Sequence, residues 1–347
     1  MKNLLIYGSY GYTGRLIVEQ CIERGIKPII AGRNGAKVKD QASKHGLEFD
    51  VFDVNQSERL RAFLEKGEVV IHCGGPFIHT SKQMIEGCLS TDTHYLDITG
   101  EYEVFDLAKT YSDQAQSKNL MLLPGAGFDV VPSDCLAAML KDALPDATHL
   151  ELAFVSKGGK LSRGTTKTMI ENLGQGQAFR KNGEYAFAKM GETTRLVDFG
   201  DFEQTCMAIS WGDISTAFHS TGIPNIKVYA GTNPQQISQV RRANKLGWFL
   251  KLRPVKNFMK KQVDKKPDGP TDEKRLNSST HLWGQVSNGS QSIEKRLVVP
   301  NGYTLTADTA VGIAQKVLEN NFKSGFQTPS TAYGKDLILE FDQTSLS

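Results

Sequence analysis

Cysteine is scarce and scattered in this sequence. Its five residues (21, 73, 88, 135 and 206) form no Cys-x-x-Cys pair, and no histidine stands at metal-ligand spacing from them. A zinc or cluster site of that kind is excluded, and an odd, dispersed set reads as reduced, buried thiols of a reducing compartment. Excess charge of either sign is also missing. The 41 basic residues are nearly offset by 38 acidic ones, leaving +3, too little for the electrostatic footprint of a nucleic-acid partner. No run approaches the ~20 uninterrupted apolar residues of a membrane span. A strand-like run follows Met1 at once, without a basic n-region and small-residue cleavage site, so cytoplasmic is the expected location. No internal repeat stands out.

What is present is length and rhythm. A chain of 347 residues, 39% hydrophobic and 23% charged, is expected to form two soluble units, each with its own core. Up to about residue 130, short apolar runs alternate with helix-length amphipathic segments. The runs are Asn3–Tyr7, Pro28–Ala31, Leu47–Phe52, Val69–Cys73, His94–Ile98 and Leu120–Leu123. Strands separated by helices in this way predict a Rossmann-type, doubly wound parallel sheet of six strands and five crossovers. Gly25, Gly46 and Gly67 stand where glycines close the first three helices.

After Phe128–Ser133 the rhythm changes. A helix is expected from Pro132 to about Leu144, followed by longer alternating runs at His149–Ser156, Thr193–Phe199, Gln204–Trp211 and Ile226–Gly231. These predict a second α+β domain, 131–347, on a largely antiparallel sheet. A helix at about 305–320 is expected to pack back on the first domain. From Arg253 to Arg275 lie eight Lys/Arg and four acidic residues with Pro254, Pro267, Gly269 and Pro270, which predicts a mobile basic loop over 253–280. Within 246–266, Trp248, Phe249, Leu250, Leu252, Val255, Phe258 and Met259 interleave with Lys251, Arg253, Lys256 and Lys260. Two readings stand: an amphipathic helix packed on its own domain, or a flap that meets a membrane surface or a lipid substrate.

The stretch YGSYGYTGR runs from Tyr7 to Arg15. Gly8 suits the tight turn out of the first strand, Gly11 the approach of backbone to a pyrophosphate, and Gly14 close packing of helix on sheet. The helix that follows would aim its amides and positive end at the phosphates, drawing Ser9, Tyr10, Tyr12, Thr13 and Arg15 into the cradle. The spacing is Gly-x-x-Gly-x-x-Gly, one residue longer than the simplest dinucleotide fingerprint. Nineteen residues past Gly14 stands Arg33, followed by Asn34, where loops that prefer NAD place an acid. A guanidinium there suits the 2′-phosphate of NADP. Asp53 reads either as an adenine-side contact or as the N-cap of the next helix.

Ligands of such sheets lie beyond the carboxyl ends of the strands. The loops there are CGGPF, with Gly74, Gly75, Pro76 and Phe77 beside the cofactor; YLDITGE, with Glu101; and PGAGFDVVPSD, with Asp129. Turn chemistry and helix capping account for part of this composition. Glu101 and Asp129 are the candidate proton-handling residues, since a buried carboxyl can titrate near neutrality. Tyr95 and Tyr102 stand behind them.

In this order, YGSYGYTGRL, AGRN, CGGPF, YLDITGE and GFDVVPSD resemble the saccharopine dehydrogenase-like oxidoreductases, and among them most closely the trans-acting enoyl reductases of lipid biosynthesis. SRGTTKTMIENL (Ser162 to Leu173) and GFQTPSTAYGKDLI (Gly325 to Ile338) extend the resemblance into the second half. RGTTKT departs from the usual double-glycine start, and PGAG precedes Phe128 where other members vary.

The resemblance implies an NADP(H)-dependent oxidoreductase that transfers hydride to or from a polarised C=C, C=O or C=N bond of a small or lipid-like substrate. A saccharopine-type dehydrogenase acting on a C–N bond and a non-catalytic NADP-binding scaffold at a membrane are the alternatives. The Ser–Tyr-x-x-x-Lys arrangement of short-chain dehydrogenases is missing, since YGKD (Tyr333 to Asp336) lacks its spacing. Fold analogy adds the expectation of a homodimer.

Overall fold

The computed structural model describes residues 3–174, 176–244 and 247–347. The chain divides into two compact units, one of residues up to 131 with 303–333, the other of 132–302 with 334–347. A single boundary at 130/131 therefore does not describe the chain, because residues 303–333 return to the first unit.

The first unit is built on six parallel strands: β1 (Leu4–Tyr7), β2 (Ile29–Gly32), β3 (Phe49–Val51), β4 (Val69–His72), β5 (His94–Asp97) and β6 (Met121–Leu123). Their order is β3-β2-β1-β4-β5-β6, and a seventh, two-residue strand, Gly325–Phe326, pairs parallel with β6. β1 aligns Ile6 with Ile30 of β2 on one side and Ile71 of β4 on the other. β1, β2 and β4 are buried at every residue, which is why they read as continuous apolar runs and not as alternating ones. The order reverses between β1 and β4, the crevice where such sheets take ligands.

The crossovers are helical: α1 (Tyr12–Glu23), α2 (Gly35–His45), α3 (Ser57–Leu64), α4 (Ser81–Thr91), α5 (Tyr102–Thr110) and α6 (Ser112–Ser117). Gly46 caps α2 in the left-handed region, φ 64°, and Gly25 follows α1 with φ 74°. Gly67 differs. Its φ is not positive, and a Cβ there would lie 2.7 Å from the Asn3 carbonyl and 2.6 Å from the Leu5 side chain. It is glycine for close packing against β1, not for a helix cap.

The helix Gly302–Leu318 belongs to this unit. It buries Leu305, Ala310, Ile313 and Ala314, and Arg24 of the α1 end pairs with Asp308 on it.

The second unit carries β7 (His149–Lys157), β8 (Gln177–Lys181), β9 (Glu184–Ala188), β10 (Thr194–Asp198), β11 (Glu203–Ile209), β12 (Asn225–Gly231), β13 (Ser279–Ser287) and β14 (Ser292–Pro300). The main path is β10-β11-β12-β7-β13-β14, closed by the pair Ser345–Leu346, with β8 and β9 branching from β12. Every pairing is antiparallel except β12 with β7. Its helices are α7 (Val131–Ala143), α8 (Arg163–Glu171), α9 (Asp213–Thr221), α10 (Pro234–Asn244), α11 (Gly247–Leu250), α12 (Arg253–Val263) and α13 (Asp272–Leu276). α7 lies hard on β13: a Cβ at Gly284 would come within 2.6 Å of Leu140.

Helices α12 and α13 occupy the stretch expected to be a mobile basic loop. Pro254 sits in the first turn of α12, where a missing N–H leaves nothing unsatisfied, and Thr271 caps α13. Of the 246–266 segment, residue 246 lies outside the described residues. Among the described residues no helix is long and apolar enough to cross a membrane.

Candidate active site

The glycine loop joins β1 to α1. Gly8 has φ 81°, its amide donates to the Ala31 carbonyl (2.7 Å), and a Cβ on it would lie 2.8 Å from the Gly74 nitrogen. Gly14 is held as tightly, since a Cβ there would lie 2.5 Å from the Gly8 carbonyl oxygen. Both are glycine because protein already fills the space. Gly11 is different: a Cβ on it would meet nothing nearer than the Gly8 oxygen at 3.4 Å. Nothing in the protein requires glycine there, and a ligand resting on the loop would.

Two further observations fit a dinucleotide on this loop. Gly11 is the N-cap of α1, so that helix starts with no side-chain cap and no acid in its first turn, leaving its positive end to an anion. The Ser9 hydroxyl is fully buried with no hydrogen-bond partner among the described residues. Thr13 lies in the same first turn, half-buried. Tyr10 lays its ring against Gly32, where a Cβ would come within 2.5 Å of it. Tyr12 packs edge-on against Tyr303, centroids 5.0 Å apart.

Several residues expected at the cradle already have partners within the protein. Arg15 pairs with both oxygens of Glu19, one turn along its own helix (2.9 and 2.8 Å). The Asn34 side chain accepts the Lys37 amide as N-cap of α2. Asp53 turns its carboxylate onto the amide and side chain of Asn55 (3.0 and 2.7 Å), while α3 starts from Gln56. Arg33 is exposed directly after β2 and has no ion pair among the described residues.

Beyond β4, β5 and β6 the three loops are tied together by two carboxylates. Glu101 is buried, and its two oxygens accept the amides of Phe77 (3.0 Å) and Ile78 (2.8 Å). It thereby clamps the Phe77–His79 turn that follows CGGP. Burial raises its pKa, and those two hydrogen bonds work against the rise. Thr80 fastens the same loop from below, donating to the Gly74 carbonyl (2.9 Å). A Cβ at Gly74 would press on the Tyr7 and His72 rings, and one at Gly75 on the Phe77 ring; Pro76 follows through a cis peptide.

Asp97, at the end of β5, is the second tie. One oxygen accepts the amides of Thr99 (2.9 Å) and Gly125 (2.8 Å), and the other accepts the Tyr95 hydroxyl (2.5 Å). Burial pushes its pKa up to about 6 against the pull of these donors. The third loop is held from behind as well. Thr309 donates to the Ala126 carbonyl (2.8 Å), and Thr306 accepts the Phe128 amide (3.0 Å).

Asp129 completes the group. The residue is partly exposed, and its carboxyl rests on Gly100, where a Cβ would come within 2.8 Å of Oδ2. Desolvation, and then the nearby negative charge of Glu101, raise its pKa to about 7. An acid that titrates there can give or take a proton near neutral pH. Glu101 and Asp129 thus lie at one sheet edge in different surroundings: the first holds backbone, and the second has its pKa raised toward neutrality. Asp97, Thr306 and Thr309 were not singled out from the sequence. Among the described residues no group of His, Cys, Asp and Glu could hold a metal ion.

Residues 4–123 match the family model of the saccharopine dehydrogenase NADP binding domain. Among curated proteins, the chain is 22% identical over 204 residues to a human saccharopine dehydrogenase-like oxidoreductase, covering 52% of this chain and 48% of that one. It is 27% identical over 143 residues to the trans-acting enoyl reductase of Mycobacterium leprae (38% and 34%). A lipid droplet localized protein of Caenorhabditis elegans is 25% identical over 191 residues (49% and 45%). The chain thus spans about half or less of the length of these relatives. Among solved structures, apo saccharopine dehydrogenase (L-Glu forming) from Saccharomyces cerevisiae aligns with a TM-score of 0.67 at 13% identity, covering 100% of both chains. That likeness shows the fold. The family match at residues 4–123 agrees with the resemblance seen in the motifs.

Proposed function

We propose that this chain, with its saccharopine dehydrogenase-type NADP-binding domain, is an NADP(H)-dependent oxidoreductase acting on a polarised C=C, C=O or C=N bond of a small or lipid-like substrate. The observation that carries the reading is the open Gly11 at the bare N-terminus of α1, on the edge where three clamped loops meet a carboxyl that titrates near 7. NADPH supplies the hydride when bound. Gly8 to Gly14 would receive its pyrophosphate, and the exposed Arg33 its 2′-phosphate. Glu101 and Asp97 fix the loop backbones on which a nicotinamide could lie. Asp129 holds the proton that balances the hydride at the substrate.

The names of the relatives support the substrate side: one is an enoyl reductase and another localises to lipid droplets. A cytoplasmic location, a homodimer and peripheral contact with a lipid surface through α12 belong to the same proposal. The second reading, chemistry at a C–N bond, is favoured by the description of the family matched at residues 4–123.

The test is direct. Purified protein should quench or shift NADPH fluorescence at concentrations where NADH does not, and should oxidise NADPH with at least one member of a panel of enones, ketones and imines. Turnover only with glutamate and an aldehyde would decide for the second reading. Tight binding without turnover on any of these would leave the scaffold.

A further inference from the structure

The surface of α12 is turned opposite to its composition. Lysines normally face water, yet Lys256 is buried and donates to the Glu171 carbonyl oxygen of α8, and Lys260 pairs with the Glu171 carboxylate. On the outer side, Phe258 is 63% exposed and Leu252, just before the helix, 45%. Two acids of the segment, Asp264 and Asp268, stay exposed but are held by partners from α8. Asp264 pairs with Lys167 (2.5 Å) and Asp268 with Arg163, both from α8. Their charges are neutralised there. Lys251, Arg253, Lys261, Lys265 and Lys266 are left exposed with no ion pair among the described residues. Folding therefore pairs these two acids with α8, turns Lys256 and Lys260 toward it, and leaves an outer side that is cationic with apolar tips.

We infer that this outer side of α12, with Leu252, Phe258, Lys261, Lys265 and Lys266, docks on an anionic lipid surface. The inference deepens the peripheral contact proposed above and rests on that part of the functional reading, not on its redox chemistry. A lipid surface is the occupant that both features fit. Cations are attracted to acidic headgroups within a Debye length, and aromatic and leucine side chains enter the headgroup boundary. A second copy of this chain would bring the same positive charges against themselves, and an acidic soluble partner gives no role to an exposed Phe258.

The experiment is co-sedimentation of the full chain with phosphatidylcholine vesicles, with and without a minority of phosphatidylglycerol. Binding is expected only with the anionic lipid and should weaken as salt rises. The triple variant Lys261→Glu, Lys265→Glu, Lys266→Glu should lose about a hundredfold or more in partitioning. Phe258→Ala should lose about tenfold at fixed charge. All four side chains are exposed, so unchanged circular dichroism and NADPH binding are expected and separate this result from the cofactor reading. Equal binding to neutral vesicles, undiminished binding of the triple variant, or a Phe258→Ala effect on self-association alone would each overturn the inference.

Discussion

Replacing Asp129 with Asn keeps the shape of the side chain and removes its charge, which separates the two consequences of its environment. The carboxyl titrates at about 7 instead of 3.8 because the fold desolvates it and places Glu101 nearby. A rise of about 3 pKa units corresponds to about 4 kcal/mol between its two protonation states. Asp129 is partly exposed, and solvent screening reduces the expected effect to about 2 kcal/mol. The sign follows from linkage. The folded state binds the proton more tightly than the unfolded chain, so the stabilisation from that proton is complete below 3.8 and is lost as pH rises through about 7. Above that pH both states are ionised and the wild-type protein bears the full cost of a desolvated charge. D129N should therefore be the more stable protein by about 2 kcal/mol above about pH 7.5, and the gap should close as the pH is lowered toward 4. Urea denaturation of both proteins across this range measures it. A gap that does not change with pH, or wild-type stability exceeding that of D129N above pH 7.5, refutes the assignment of a raised pKa. The same variant should bind NADPH normally and lose about a hundredfold or more in turnover, since an amide cannot hold the transferable proton.

Three other variants address the cofactor edge. Gly11→Val should abolish NADPH binding with little loss of stability, read by fluorescence titration and thermal melting, because a Cβ there would meet nothing nearer than the Gly8 oxygen at 3.4 Å. Arg33→Asp should weaken NADPH by about 2 kcal/mol more than NADH; equal losses for both nucleotides would remove Arg33 as the selector. Glu101→Gln leaves one of the Phe77 and Ile78 amides facing an NH2 group, so stability should fall by about 1–3 kcal/mol. Hydrogen exchange at those two amides should quicken while distant strands stay protected.

The glycine cradle and the parallel sheet were legible because both are local. A strand buried on both faces is a continuous apolar run, and Gly8, Gly11 and Gly14 lie within seven residues of one another. The carboxylates were legible only as positions. That Glu101 grips the amides of Phe77 and Ile78, 24 and 23 residues earlier, depends on β4 and β5 being neighbours, which no spacing reveals. Asp97 was hidden for the opposite reason: within YLD it resembles the polar end of an ordinary strand, and its value comes from Gly125 of the next loop. The strand Gly325–Phe326 is two residues long and exists because β6 offers an edge. The basic stretch misled because Pro254, Pro267 and Pro270 suggest an irregular chain, whereas Pro254 falls where a helix accepts proline.

The return of residues 303–333 to the first unit has a consequence for the order in which the protein can be completed. A ribosome that has released residues up to 131 has delivered β1 to β6 and the whole glycine cradle. It has not delivered Thr306 and Thr309, which hold the loop carrying Asp129, or Phe326, which covers the open edge of β6. Nearly the entire second unit must leave the exit tunnel before these arrive. The glycine loop can therefore form before the loop carrying Asp129 is held, which waits for residues 303–326 to emerge. A nascent chain arrested before residue 302 would present the glycine loop beside an Asp129 loop without its Thr306 and Thr309 supports.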